Sequence, residues 1–337
     1  MACPLRENVV SGKLTFGYLY DFRNPPQWRK PWPEQYAEIL DVIAWTEEVG
    51  FEGAWVPEHH LADDGYMPSP LIALTAIAAR TKRLRLGAAI ALAPLYHPVR
   101  FAEDCAVLDI IGGGRLEMGV AIGYRKRETA AFGVDFTKRG KIFDEWLQIV
   151  TRLWAGETVD FAGDHFSVTG AKVMPPPPRG RIPLFIGGFG EKAIERVIRY
   201  GDGYIGNAEV FSRYAPASGG EGGAKVRITG LFTVVARDPE RAMEELAPYY
   251  HHVSNSYGEW FAEDKGLQGL KPMTLEAFKA SGVLQIMTPD AAIAMFRDLQ
   301  QRLPIDHYTM MMPPGLPADS FKAYAQVFAD EVIPAFR

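Results

Sequence analysis

The most reactive group of side chains in the sequence is Glu58-His59-His60, which comes directly after a short apolar segment. Successive side chains of an extended segment point to opposite faces, so adjacent histidines rarely bind one metal ion. We therefore expect no metal site here. An imidazole titrates near neutral pH, which suits proton transfer. A hydrogen-bonded structural pair is the alternative that these residues leave open.

A glycine-rich turn, Gly187-Gly188-Phe189-Gly190, follows an apolar segment and precedes a helical pattern. Glycines let the backbone approach a ligand, and the unpaired N–H groups at a helix start attract anions. The turn therefore predicts a phosphate site, with an ordinary tight turn as the alternative. Residues 188–193 also match the dinucleotide pattern G-x-G-x-x-A. That match is weak because it lies in mid-chain, after four strand–helix units.

Several common catalytic patterns do not occur in the sequence. A G-x-S-x-G nucleophile elbow and a G-x-x-x-x-G-K-[ST] phosphate loop are both missing, which argues against the commonest hydrolases and NTPases. The two cysteines, Cys3 and Cys105, have no metal-binding spacing and cannot form a disulfide framework. The basic run at 125–127 is either a solvated surface or a group that receives an anion.

A repeated rhythm of short apolar segments and helical patterns organises the chain. The predicted strands cover residues 14–20, 53–57, 84–92, 115–121, 183–187, 203–206, 226–236 and 307–312. Several are continuous apolar runs, as expected for parallel strands that are covered on both faces. Eight such units predict an α/β fold, a (β/α)8 TIM barrel in one domain (1–337), with an open doubly wound sheet as the alternative.

Three segments interrupt this rhythm. Residues 156–181 predict an insertion after strand 4, a hairpin followed by a proline-rich connector. Residues 254–284 predict a loop insertion after strand 7, either a lid or binding loop or a plain surface excursion. Residues 213–224 are too rich in Gly and Ser for a sound helix, so the sixth helix is expected to be truncated. Functional groups of a barrel gather where its strands end, which places 58–60 and 187–190 at one rim.

Composition limits the classes of partner. The chain has 337 residues, 47% of them hydrophobic, and a net charge of −5 from 36 Lys+Arg and 41 Asp+Glu. This mild acidity argues against a nucleic-acid partner, since no basic block exists to neutralise phosphates. The most apolar run, 86–96, covers about half of the roughly 20 residues that a helical membrane span needs. The N-terminus lacks a signal-peptide core, so we predict a cytoplasmic protein.

The chain resembles the bacterial luciferase-like flavin-dependent monooxygenase family, through motifs that occur in order along most of its length. The motifs are GFEGAWVPEHH at 50–60, RTKRLRLGAAIALAPLYHPVRFAED at 80–104, LDIIGGGRLEMGVAIGYRKRETAAFGV at 108–134, IPLFIGGFGEKA at 182–193 and GDGYIG at 201–206. Each motif is modest by itself. Their order and spacing together are highly specific.

The resemblance implies that FMN binds at the carboxyl-terminal mouth of a barrel. His59 would be the catalytic base or a hydrogen-bond partner, and 89–90 would form a bulge against the flavin ring, often with a non-proline cis peptide in this family. The implied cofactor-binding residues are Glu58, Ala89, Ile90, Tyr124, Arg125, Gly187, Gly188, Phe189, Gly190 and Asn207. Ile122 and Ala121 stand where luciferase has its phosphate-binding arginine and its reactive cysteine. Arg125 is the candidate replacement for that arginine, and light emission is not predicted.

The activity implied by the resemblance is that of a two-component monooxygenase. Reduced FMN from a separate flavin reductase, together with O2, would oxygenate a small, largely apolar organic substrate. The predicted substrate-pocket residues are Tyr18, Tyr20, Trp260 and His307. One alternative is a deazaflavin-dependent oxidoreductase that transfers a hydride, and another is a non-catalytic flavin-binding protein. The resemblance also implies a homodimer or a higher homo-oligomer.

Overall fold

A computed structural model of the chain describes residues 13–214, 225–263 and 269–337. The strands are β1 (Thr15–Tyr20), β2 (Gly53–Val56), β3 (Arg85–Ala88), β4 (Ala91–Leu92), β5 (Met118–Ala121), β6 (Val159–Ala162), β7 (Ser167–Ala171), β8 (Leu184–Ile186), β9 (Gly203–Gly206), β10 (Lys225–Thr229), β11 (Thr233–Val235), β12 (Gln285–Met287) and β13 (Ile305–Met312). The helices are α1 (Trp32–Val49), α2 (Pro70–Arg80), α3 (Pro98–Ile111), α4 (Lys126–Ala131), α5 (Arg139–Trp154), α6 (Glu191–Tyr200), α7 (Ala208–Tyr214), α8 (Pro239–Glu263), α9 (Leu275–Ala280), α10 (Pro289–Arg302) and α11 (Ala318–Glu331).

Eight parallel strands form the barrel. Their hydrogen-bonded order is β3-β2-β1-β13-β10-β9-β8-β5-β4, in which β3 and β4 are two halves of one strand interrupted at Ala89-Ile90. The sheet closes on itself because β4 pairs with β5, and a bridge from Leu86 to Leu116 joins β3 to the segment just before β5. The predicted TIM barrel is therefore confirmed.

Local sequence explains why the barrel strands are buried and where helix α1 ends. Strands β2, β5 and β8 are buried at every residue, as their uninterrupted apolar sequences require. Helix α1 has Pro33 in its first turn and ends at Gly50, whose φ of 106° lies in the left-handed region. Glycine adopts that conformation without steric cost, so the chain can leave the helix there and enter β2.

The insertion after strand 7 differs from the predicted loop. Helix α8 continues through 254–263, and α9 follows within the segment predicted as a loop, while residues 264–268 lie outside the described residues. The apolar periodicity is weak because the inner face of α8 carries aromatic and polar groups instead of an aliphatic stripe. The segment predicted as one strand at 226–236 is divided into β10 and β11. Strand β11 pairs with β12 in a separate two-stranded parallel sheet.

The other interruptions are short. Strands β6 and β7 form an antiparallel hairpin within 156–181, and the proline-rich connector after it contains a cis Met174-Pro175 bond. Helix α7 has only seven residues, and the rest of the Gly- and Ser-rich segment, 215–224, lies outside the described residues. Within the described part of the chain, no helix is long and apolar enough to cross a membrane.

A buried polar cluster, here called the barrel floor, fills the amino-terminal end of the barrel interior. Its members are Thr15, Trp55, Arg85, Glu117, Arg227 and His307. The Trp55 indole N–H donates to His307 Nε2 at 2.8 Å. His307 Nδ1 must then carry the proton, and it donates to Thr15 Oγ1 at 2.8 Å. Arg227 forms an ion pair with Glu117.

Candidate functional site

His59 lies at the carboxyl-terminal end of the barrel, in the loop that follows β2. Its Nδ1 is 2.9 Å from Oε1 of Glu128 in α4. An ionised carboxylate only accepts hydrogen bonds, so Nδ1 carries the proton and Nε2 keeps its lone pair. Nε2 faces the hydroxyl of Tyr124 at 3.5 Å. His59 is therefore held in the tautomer that offers Nε2 as a proton acceptor.

Glu128 is the residue that orients this histidine. It is 1% exposed and also accepts hydrogen bonds from the His60 N–H and from Arg125 Nη1, both at 2.9 Å. Burial raises the pKa of Glu128, but the hydrogen bond and charge of His59, the His60 N–H and the charge of Arg125 together hold it below its usual value. The sequence analysis missed Glu128. The available signal was its position three residues after Arg125, which places both on one helix face.

The protonation states of the site follow from burial. Burial lowers the pKa of His59 despite the opposing hydrogen bond and charge of Glu128, and the charges of Arg125 and Arg23 lower it further. Burial also raises the pKa of Tyr124 well above its usual value. At neutral pH the imidazole is thus uncharged, and the phenol next to Nε2 is a hydrogen-bond donor.

Aromatic rings enclose His59. The ring centroids of Tyr66, Trp260, Tyr124 and Tyr257 lie 4.8, 4.9, 5.6 and 6.0 Å from that of the imidazole. Tyr257 and Trp260 belong to α8, so the insertion after strand 7 covers the barrel mouth. This arrangement keeps bulk water away from Nε2. Trp260 is the predicted pocket residue that the structure places beside His59.

Glu58 has a different neighbourhood from the one predicted. Its Oε1 accepts hydrogen bonds from His60 Nε2 at 2.9 Å and from the Tyr96 hydroxyl at 2.8 Å, and its Oε2 accepts from the Leu92 N–H at 2.7 Å. Both oxygens are therefore engaged by protein groups. Glu58 supports the end of β4, just after the bulge. In the described residues, no group of three or more His, Cys, Asp or Glu side chains is arranged to hold a metal ion.

The bulge in the third barrel strand carries a cis peptide bond between Ala89 and Ile90. Ile90 packs against two glycines, Gly119 of β5 and Gly187, which follows β8. A Cβ on Gly119 would come within 3.0 Å of Ile90 Cγ2, and a Cβ on Gly187 within 3.1 Å of Ile90 Cδ1. Glycine at both positions leaves the space that Ile90 occupies. The bulge and the glycine turn are therefore in direct contact.

The glycine turn presents open backbone at the start of a helix. Gly190 is the N-cap residue of α6, and a Cβ on Gly190 would meet no atom within 4 Å. Gly188 has a φ of 151°, and a Cβ there would lie 2.8 Å from the Ala193 side chain. Phe189 is 65% exposed. Asn207 belongs to the next loop, where its Oδ1 accepts the Glu209 N–H at 2.7 Å.

Two arginines, Arg125 and Arg139, follow β5 and have different partners. Arg125 is 3% exposed, donates to the His60 carbonyl oxygen and to Glu128, and stacks 4.1 Å above Trp260. Its side chain is therefore held by groups around His59. Arg139, which the sequence analysis missed, donates from Nε to the Gly123 carbonyl oxygen at 3.1 Å, at the end of β5. Strand β5 pairs with β8, which leads into the glycine turn.

Three predicted pocket residues lie away from the mouth. The Tyr18 ring packs at 4.8 Å on Phe51, and the Tyr20 hydroxyl bonds to Thr46 Oγ1 of α1 at 3.0 Å, so both side chains face the outer helices. His307 lies in the barrel floor. These placements correct the predicted pocket wall, because alternate residues of a strand face opposite sides and position at a strand end does not reveal the inner side.

The loop after β1 adds a charged cluster that the sequence analysis also missed. We call it the rim cluster, and its members are Asp21, Arg23, Asp64, His252 and Ser256. Arg23 Nε donates to Asp64 Oδ2 at 2.6 Å, and Arg23 Nη2 donates to Ser256 Oγ of α8 at 2.6 Å. The Arg23 guanidinium lies 4.9 Å above the ring of Tyr66. The mouth therefore combines aromatic rings with charged groups.

Comparisons with known proteins agree with this architecture. The family model described as luciferase-like monooxygenase matches residues 14–286. The oxygenase component of the flavin-dependent trigonelline monooxygenase of Acinetobacter baylyi is 24% identical over 327 residues, 89% of this chain and 90% of that protein. The crystal structure of monooxygenase RslO1 from Streptomyces bottropensis superposes with a TM-score of 0.81 at 22% identity, covering 96% of this chain and all of that one.

Relatives with higher identity align over a shorter region. The F420-dependent glucose-6-phosphate dehydrogenase of Amycolatopsis mediterranei is 30% identical over 176 residues, 50% of this chain and 52% of that protein. The chain spans about half the length of the first curated relatives that it matches.

Proposed function

Because the chain belongs to the luciferase-like monooxygenase family, we propose that it is a flavin-dependent oxidoreductase that oxygenates a small organic substrate with reduced FMN and O2. One observation carries this proposal. His59, oriented by Glu128, shares the carboxyl-terminal rim of the barrel with the glycine turn, and the Ala89-Ile90 bulge lies between them and contacts Gly187. The rim thus offers a proton acceptor, a shaped surface for a flat ring and an anion site together.

The residues at the rim fit FMN. The phosphate would bind at the backbone of Gly188 to Gly190, at the amino-terminal end of α6, because helix starts attract anions. The free space around Gly190 is what a close ligand requires. Arg139 is a candidate for a balancing positive charge, since it donates to the Gly123 carbonyl oxygen just after β5, the strand that pairs with β8. The bulge at Ala89-Ile90 would support the ring system. Reduced FMN would supply the electrons with which O2 is activated.

The chain's own residues would then manage protons and exclude water. His59 Nε2 would accept a proton from the substrate or hold one during the reaction, while Glu128 stabilises the positive imidazolium that results. Tyr124 would donate a hydrogen bond next to Nε2. Tyr257 and Trp260 cover the site from α8, and the aromatic walls would contact a flat or cyclic substrate. A separate reductase as partner is supported by the name of the Acinetobacter relative, an oxygenase component.

A deazaflavin-dependent hydride transfer is the second candidate. The observation that favours it is the 30% identity with an F420-dependent dehydrogenase over half of the chain. A non-catalytic flavin-binding role is the third. It predicts that loss of His59 changes no measured property other than stability.

The deciding experiment is an anaerobic titration of the protein with reduced FMN and, in parallel, with reduced F420, followed by mixing with O2 in a stopped-flow spectrophotometer. We expect reduced FMN to bind with a dissociation constant in the micromolar range. The rate of its reoxidation by O2 should change when the protein is present. Tight binding of F420 without binding of FMN would overturn the monooxygenase proposal. Binding of reduced FMN with no substrate-dependent turnover, unchanged by His59→Asn, would favour the third candidate.

A further inference from the structure

The mouth of the barrel contains an unusual concentration of unpaired buried polar atoms. Asp21 Oδ2, Arg23 Nη1, Asp64 Oδ1 and Arg125 Nε are buried and have no hydrogen-bond partner among the described residues. Most buried polar groups in proteins are hydrogen-bonded, and exceptions tend to mark functional positions. Three of these atoms belong to the rim cluster and the fourth to the arginine beside His59. The mouth is therefore equipped for a polar group that the protein itself does not provide.

Arg23 is held rigidly, and one nitrogen of its guanidinium has no hydrogen-bond partner among the described residues. Nε and Nη2, which share one edge, contact Asp64, His252 and Ser256 at 2.6 to 3.0 Å. Nη1, on the other side, has no partner, although the residue is 2% exposed. Because three elements fix the planar group, the unpaired N–H groups point in a defined direction. A preorganised guanidinium N–H group of this kind suits a carboxylate oxygen.

Arg125 brings a second unpaired donor to the surroundings of Trp260 and His59. Its guanidinium and that of Arg23 lie 4.1 and 5.9 Å from the ring centroid of Trp260, and both positive charges act on His59. The opposing carboxylates are Glu128 at Arg125 and Asp64 at Arg23. Burial raises the pKa of Asp21 to about 7 against the lowering effect of Arg23, so Asp21 is largely uncharged below that pH. The two unpaired donors, Arg23 Nη1 and Arg125 Nε, are atoms that an anionic acceptor would satisfy.

We propose that Arg23, assisted by Arg125, is the specificity-determining residue that binds a carboxylate group of the substrate. This inference rests on the proposed function and names its substrate class, an aromatic or cyclic carboxylate. The carboxylate binds Arg23 Nη1 and Arg125 Nε, and the ring of the substrate contacts the aromatic side chains around His59. A neutral analogue of the same shape lacks the charge that satisfies both guanidiniums.

The test is isothermal titration calorimetry of the full chain with matched pairs, benzoate against benzamide and phenylacetate against phenylacetamide. For at least one pair, we expect the carboxylate to bind roughly tenfold or more tightly than its amide, as for hydrogen bonds to charged groups. Arg23→Met removes that preference and leaves amide binding unchanged. Arg29→Gln is the matched control, because Arg29 is an exposed arginine of the same loop that donates only to the backbone oxygens of Asn24 and Asp63 in the described structure.

Two outcomes overturn the proposal: wild-type protein that binds no carboxylate more tightly than its amide, and Arg23→Met protein that keeps the preference. If Arg23→Met does not fold, Arg23→Lys replaces it. A lysine can pair with Asp64 but has no second edge, so the preference falls with this variant too. In turnover assays, KM for the carboxylate rises in the Arg23 variant, while the affinity for FMN stays unchanged. Wild-type protein that binds the carboxylate but not FMN would overturn the proposed function alone.

Discussion

Two buried histidines at opposite ends of one barrel show how the same residue type serves two purposes. His307 in the floor uses both ring nitrogens, accepting from Trp55 and donating to Thr15. His59 at the mouth uses Nδ1 for Glu128 and keeps Nε2 for a phenol 3.5 Å away. Burial is the largest cause that lowers the pKa of each. Burial and pKa therefore do not distinguish them, whereas the partner of the second nitrogen does.

The arginines near the two histidines also differ in whether their nitrogen atoms have hydrogen-bond partners. The floor arginine Arg227 pairs with Glu117 and Asp306 and stacks 3.5 Å above Phe185. The mouth arginines, Arg23 and Arg125, each leave one buried nitrogen unpaired. A paired polar cluster fixes the core, whereas an unpaired one costs stability and persists where a ligand can use it. The comparison predicts that floor substitutions change stability and that mouth substitutions change activity.

The largest effect is expected for His59→Asn. Loss of a proton acceptor at the reacting centre lowers kcat by about 10²- to 10⁴-fold, while the free energy of unfolding falls much less than in the floor variants. Substrate-dependent oxygen consumption with reduced FMN and urea unfolding measure the two quantities. Full activity in this variant would contradict the division between floor and mouth.

Arg227→Met should destabilise the protein by about 3–5 kcal/mol, because it removes the nearer of the two arginines that pair with the buried Glu117 carboxylate. The folded fraction should keep its turnover and its flavin affinity. Arg237→Met is the control, since Arg237 is exposed and its ion pair with Glu331 contributes only about 0–1 kcal/mol. Equal unfolding midpoints for the two variants would show that the floor does not have the assigned role.

Glu128→Gln should lower kcat/KM by roughly ten- to hundredfold, because the hydrogen bond to the imidazolium loses its charge. The acid limb of the pH profile lies below about 6.5 in the wild type, since burial lowers the pKa of His59. The Glu128 charge raises that pKa, so its removal moves the limb to still lower pH. A limb that moves upward, or a loss of activity with no shift, would contradict the orienting role.

The smallest effect concerns the pH dependence of stability. His307 stays neutral in the folded state, because burial and the charges of Arg85 and Arg227 keep its pKa well below 6.5. Below about pH 6.5 the unfolded chain binds a proton that the folded one does not, so stability falls as the pH decreases, by up to about 1.4 kcal/mol per pH unit. His307→Gln should have a shallower slope in urea unfolding between pH 7 and pH 5. Identical pH slopes in the wild type and in His307→Gln would contradict the neutral state assigned to His307 in the folded protein.

Much of the barrel was predictable because its signals are local. Seven of the eight predicted strands correspond to one barrel strand each, and the exception at 226–236 contains β10 and β11. The interruption between β3 and β4 falls at 89–90, the position that the family resemblance gave. The insertion helix was missed because aromatic and polar residues, such as Tyr257 and Ser256, replace the aliphatic stripe by which a buried helix face is recognised.

The sequence by itself determined where the barrel strands lie along the chain and that His59 and the glycine turn each follow a strand. It could do so because apolar runs and glycine positions act on neighbouring residues. Only the tertiary structure decided which polar groups meet. Glu128 reaches His59 across 69 residues, and His252 reaches Arg23 across 229. It also decided that Tyr18 and Tyr20 face the helices and that His307 lies in the floor. These outcomes depend on barrel closure and on the packing of α8, and local spacing contains no information about either.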